Sequence, residues 1–215
     1  MNNRSFYFQP SPTMSPRPNV SAERKPQILL AAMQVFLQKG FTAARMEDIA
    51  KQASLSVGNL YRYFPGKLDI TLALMELFLE PSLSNSNDLL SAPGTCRERL
   101  ESSFLRVLEK QDASLLTLYG EMYHLARYEP RVRTVLQDYN QRYQKIVANL
   151  LQQGIQNGEL RSVDTDAAAF AFQSIFDGFM QNMAFTSRPL NLSVVLHQAF
   201  DMLFNGLSVT RSNTS

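Results

Sequence analysis

The stretch SLSVGNLYRYFPGKLD, residues 54–69, crowds Tyr61, Arg62, Tyr63 and Lys67 into a short segment. Hydroxyl, guanidinium and ammonium groups at that density suit a polyanion, because phosphate oxygens accept hydrogen bonds from all three. Val57, Asn59 and Arg62 precede or interleave with them and have the chemistry to read bases. Asn pairs bidentately with adenine and Arg with guanine in the major groove. The plainer reading, that the tyrosines cover a small core with their hydroxyls wet, stays open, and one tyrosine can do both.

Catalytic chemistry is thin by contrast. His124 and His197 are the only histidines, no Gly-rich phosphate loop is present, and no pair of residues has metal-ligand spacing. A single cysteine, Cys96, excludes an internal disulfide framework and a cysteine zinc site, and it suits a reducing cytoplasm. No apolar run approaches the ~18 residues of a membrane span, and the N-terminus lacks the apolar stretch of a secretory signal. The expectation is a cytoplasmic protein with no enzymatic activity, no cofactor and no metal.

The elements that would position the polar segment are short helices. Residues 1–21 are rich in Pro, Ser and Asn and read as a disordered arm. Helical periodicity follows Pro26, with Ile28, Ala32, Val35 and Phe36 on one face and Gly40 ending the run. A second helix fits Met46–Ala53. Ser56 is a good N-cap for a third, which buries Leu60 and Phe64 and stops at Pro65-Gly66. A fourth starts at Lys67, with Leu68, Leu72, Met75 and Leu79 as its stripe. Two short helices across a tight turn, braced by a longer one, make a helix-turn-helix unit over residues 22–67. That block holds seven basic residues against three acidic, although the whole chain carries only +2. Local positive charge of this kind is what a nucleic-acid footprint shows, with chance clustering of charge as the plainer alternative.

Residues 68–211 read as a larger helical domain. Residues 80–95 are expected to form a loop in which NDLL, residues 87–90, can be ordered, and Thr95 with Glu98 has capping-box spacing for the next helix. Further helices are expected over residues 112–128, from Pro130 to Asn157-Gly158, and over 166–185 and 191–207. An effector cavity would draw on Phe104, Leu108, Tyr119, Tyr123, His124, Phe172, Phe176 and Met180, a set suited to a mostly apolar ligand held by one or two hydrogen bonds. The helix over 166–185 is apolar on opposite faces, one of them small (Ala167, Ala171, Ser174, Gly178), and the last helix has a wide apolar arc. Covering both calls for a homodimer through Ala171, Ser174, Gly178, Val195, Ala199, Phe200 and Leu203, or for burial within one chain.

GFTAARMEDIAKQASLSVGNLYRYFPGKLDI resembles the DNA-binding region of the TetR/AcrR family of one-component bacterial regulators, through Gly40-Phe41, Ile49-Ala50, Ser56, Gly58, Leu60-Tyr61, Tyr63-Phe64 and Lys67. YEPRVRTVL, LLQQGIQNGELR and IFDGFM resemble its ligand-binding half. The resemblance implies an all-α homodimer on a pseudo-palindromic DNA operator, released by a small molecule. It implies that Ser56 caps the recognition helix, that Tyr61, Tyr63 and Lys67 hold phosphates, and that Val57, Asn59 and Arg62 tune sequence choice. It also implies a hydrogen-bonding role for Asp177 and Glu121.

Two departures stand out. Ala44-Arg45 replaces the usual Ser or Thr opening the second helix, which makes Arg45 a candidate DNA contact and leaves the cap to Thr42. Ser54 replaces the usual turn glycine and is expected to be strained if it sits at positive φ. The rival readings are a transcriptional activator of the same fold and an interaction module that has lost DNA binding.

Overall fold

The computed structural model describes residues 20–109, 113–183 and 191–207, and every element among them is helical. In chain order these are α1 (Val20–Ala43), α2 (Met46–Gln52), α3 (Val57–Tyr63), α4 (Lys67–Asn87), a 3₁₀ turn (Asp88–Leu90), α5 (Cys96–Glu109), α6 (Ala113–Ala126), α7 (Pro130–Gln156), α8 (Thr165–Met183) and α9 (Leu192–Leu207). The arm as far as residue 19 lies outside the described residues.

Helix ends follow local chemistry. Gly40 breaks α1 at φ 73°, a conformation that only glycine adopts cheaply. Ser56 Oγ accepts from the Asn59 N–H at 3.2 Å and caps α3. At the start of α5 the box is reciprocal: Glu98 N–H donates to Thr95 Oγ1, and Thr95 N–H to the Glu98 carboxylate. The entrance to α2 differs from expectation. Asp48, three residues in, accepts from the Arg45 N–H at 3.1 Å, which is the reach-back half of a capping box, while the N-cap residue Arg45 makes no side-chain cap bond to the first turn.

Two boundaries also differ. α1 begins at Val20 and runs through Pro26, which is exposed, so the carbonyl it leaves unbonded can turn to water. Residues 80–95, expected as a loop, are largely ordered. α4 continues through Pro81 to Asn87, and Leu89 in the 3₁₀ turn is fully buried. Leu83, Ser86 and Leu89 face inward, and that burial outweighs one hydrogen bond missing at Pro81.

The buried side chains form two clusters. The first joins Ile28, Phe36, Ile49, Leu60 and Ile70 of the helix-turn-helix head to Leu118 and Met122 of α6 and Val132 and Leu136 of α7. The second joins Leu83, Leu100, Phe104, Val147, Leu151, Phe172, Phe200 and Phe204. α4 and α7 supply residues to both, and the Tyr139 ring packs against each. The head is therefore continuous with the larger domain through shared helices.

Candidate nucleic-acid interface and ligand cavity

The turn between α2 and α3 depends on Ser54, which sits at φ 54°, the sole positive-φ residue other than glycine among the described residues. The strain expected there from the missing glycine is present. Beyond the turn, α3 buries Leu60 completely and turns its other faces outward. Asn59, Tyr61 and Arg62 are exposed, as are Ser56 and Gly58. Arg45 is exposed at the head of α2. A Cβ added at Gly58 would meet no protein atom, so the glycine makes no close contact within the chain. Val57 and Tyr63 are half-buried against the head's core, which gives each a packing role alongside any contact with DNA.

Lys67 departs from the phosphate-holding expectation. Its ammonium donates to the carbonyls of Phe41, Thr42 (3.2 Å) and Ala44 (2.8 Å), which uses all three of its N–H groups. It also lies 4.3 Å from the centre of the Phe41 ring. Burial lowers its pKa from the ordinary lysine value. The physical reason is the end of α1: Gly40 turns the chain so that the carbonyls after it have no helical partner, and a lysine at the start of α4 reaches them. This residue ties α1 to α4 and leaves no donor for a phosphate.

Further along α4 a cavity of about 400 Å³ opens among α4, α5, α6, α7 and α8. Of the expected lining residues, Phe104, Tyr119, Phe176 and Met180 face it. Tyr123 stands behind the wall and reaches Asp177. His124 is exposed, its ring 5.5 Å from that of Tyr128, and does not line the cavity. Phe172 turns the other way, into a ring cluster with Phe200 and Phe204, because it sits on the far side of α8 from Asp177. The Leu108 side chain lies outside the described residues. The spacing pattern missed Phe78, Ser82 and Ser86 of α4, Tyr139 and Tyr143 of α7, and Gln173, all of which line the space.

The polar part of the wall is a single network. Asp177 Oδ1 accepts from the Tyr119 hydroxyl at 2.6 Å and Oδ2 from the Tyr123 hydroxyl at 3.2 Å. Gln173 Nε2 donates to Asn140 Oδ1 at 2.7 Å, while Gln173 Oε1 is buried without a partner. Burial raises the Asp177 pKa, opposed by the two tyrosine hydroxyls that favour the carboxylate. Burial also pushes the Tyr119, Tyr123, Tyr139 and Tyr143 hydroxyls above the ordinary tyrosine value, so they stay neutral donors. The hydrogen-bonding role expected of Asp177 is met here.

The outer faces of α8 and α9 carry the residues expected at a dimer interface. Ala171 and Ser174 are exposed, and a Cβ added at half-buried Gly178 would touch nothing. Phe170, Ile175, Val194 and Met202 leave large apolar surface uncovered beside them. Val195, Ala199 and Leu203 are half-buried along a narrow apolar crevice between α8 and α9. Phe200 is a correction: at 3% exposure it belongs to the protomer's own core, 5.4 Å from Phe104 and 5.9 Å from Phe204, ring centre to ring centre.

Comparison with known proteins agrees with this geometry. Residues 28–74 match the family described as "Bacterial regulatory proteins, tetR family", and residues 96–205 match "BetI-type transcriptional repressor, C-terminal". The transcriptional repressor KstR2 of Mycobacterium tuberculosis is 28% identical over 147 residues, covering 66% of this chain and 72% of that protein. The transcriptional activator FasR of Mycolicibacterium smegmatis is 35% identical over 81 residues, 38% of this chain and 37% of that one. The crystal structure of the transcriptional regulator FadR from Bacillus subtilis in complex with stearoyl-CoA superposes with a TM-score of 0.73, at 22% sequence identity, covering 84% of this chain and 98% of that one. With its exposed recognition helix and its helical cavity domain, this chain belongs to the TetR family of helix-turn-helix transcriptional regulators.

Proposed function

We infer that the protein is a homodimeric repressor that binds a pseudo-palindromic DNA operator and leaves it when a small, mostly apolar molecule enters the cavity. The observation that carries this reading is the course of α4. Its first turns pack in the head, where Lys67 holds the end of α1, and its later turns supply Phe78, Leu79, Ser82, Asn85 and Ser86 to the cavity wall. A molecule that displaces the later turns moves the head with them, and two heads on one duplex lose their register. Phe170, Ile175, Val194 and Met202 supply apolar surface for a two-fold contact through α8 and α9. Asn59 and Arg62 read bases, and Arg45, Tyr61 and Tyr63 hold the backbone. No described helix is long and apolar enough to cross a membrane, and the work of a DNA-bound regulator is cytoplasmic.

The similarity to the activator FasR favours a second reading, activation from the same operator. Both are tested by selecting bound duplexes from a random DNA pool and titrating the winner against salt. A two-fold-symmetric site with affinity falling steeply as salt rises is the expected result. Transcription from a promoter carrying that site then separates repression from activation. No enrichment over random DNA would overturn both in favour of an interaction module.

A further inference from the structure

The network on the cavity wall is short of donors. Two tyrosine protons serve Asp177, with Asn140 Oδ1 a weaker 3.4 Å alternative for one of them. Asn140 Oδ1 takes its short bond from Gln173. That leaves Gln173 Oε1, on a residue only 4% exposed, with no donor at all. No cation among the described residues acts on Asp177. Arg106, on α5, lines the cavity but is exposed and is not among the groups that shift Asp177. A half-buried carboxylate with no cation beside it and a buried amide oxygen with no donor thus belong to two residues that line a space walled by the rings of Phe104, Tyr119, Tyr139, Tyr143 and Phe176. Aromatic faces are electron-rich, so they favour a positive charge and tolerate an apolar body.

We propose that the cavity takes a lipophilic primary or secondary amine in its protonated form, with N–H groups donated to Asp177 and Gln173 Oε1 and its apolar body against the aromatic rings. The ammonium supplies what the wall lacks, namely charge for the carboxylate and donors for two acceptors. A quaternary amine supplies the charge without the donors, and an alcohol supplies one donor without the charge. A carboxylate ligand places like charge beside Asp177. The inference deepens the cavity's role in the proposed regulator and rests on that reading.

The test is calorimetric titration of the full chain at neutral pH with decylamine, decyltrimethylammonium, decanol and decanoate, each below its micelle concentration. Decylammonium is expected to bind tightest, about tenfold or more over decanol, with decyltrimethylammonium between them and decanoate weakest. In Asp177→Asn, checked for an intact melting transition, decylammonium is expected to fall to the level of decanol while decanol is unchanged. Binding of decanol or decanoate as tight as decylammonium to the unmodified protein overturns the proposal without any variant. So does a folded Asp177→Asn that keeps the preference. Operator release is read separately: decylammonium that binds in this order yet leaves the selected duplex bound upholds the cavity assignment and overturns ligand-driven release.

Discussion

Replacing Lys67 by Met separates a structural lysine from a DNA-binding one. The substitution keeps a stem of similar length and removes the ammonium. Three hydrogen bonds are lost, of which the one to Thr42 is exposed and open to replacement by water. Those to Phe41 and Ala44 are partly buried. Hydrogen bonds to a charged group contribute about 1.5–3 kcal/mol each when fully formed. Half-burial argues for the low end, and the hydration regained by removing a partly desolvated ammonium offsets some of it. The net cost is about 2 kcal/mol, including the lost contact with the Phe41 ring. For a chain of this size that lowers the melting temperature by about 4–8 °C. The assay is thermal unfolding followed by circular dichroism, run beside salt titrations of operator binding. The structure predicts a lowered Tm with an unchanged salt slope. An unchanged Tm with a slope reduced by about 0.9 would show that Lys67 releases a counterion from DNA, and the reasoning from its three carbonyls would be wrong.

Asn59→Ala and Arg62→Ala are expected to relax base choice at defined operator positions by about 1–3 kcal/mol, whereas Tyr61→Phe weakens all duplexes alike; binding to a panel of single-base operator variants distinguishes the two patterns. Phe170→Glu, on the uncovered face of α8, is expected to convert the proposed homodimer to a folded monomer in light scattering, and a dimer that persists would place the interface elsewhere. Gly154→Ala sets a Cβ 2.9 Å from Cys96 Cβ and from Leu160 Cδ1, and since only the leucine can swing aside, denaturant unfolding is expected to show a loss of about 1–3 kcal/mol. Burial pushes the Cys96 thiol up to about 12, so a thiol reagent at pH 8 is expected to modify it only on unfolding.

The features legible in the sequence are those whose partners lie within a turn of helix. Ser56 and Asn59, Thr95 and Glu98, and the break at Gly40 are each contained in a few consecutive residues, and each does locally what its type and spacing suggest. Apolar periodicity likewise located the helices and the exposed face of α3. The extension of α4 over residues 80–87 was not legible because Pro81 and a run of serines and asparagines carry turn chemistry, while the burial of Leu83 and Leu89 that overrides it comes from other helices.

What the amino-acid sequence determined by itself is the helical class, the helix-turn-helix with its donor-rich recognition helix, and the family. What only the tertiary structure decided is which side chains share a space. Lys67 meets carbonyls 25 residues or so away, as in its bond to Thr42, and Tyr119 meets Asp177 across a separation of 58. Phe172 and Phe176 sit one turn apart on α8, yet one joins the core and the other the cavity. Periodicity assigns a residue to a face of its own helix, but the neighbour that face meets is set by how the helices pack, and hydrogen bonding, charge and cavity all depend on that neighbour.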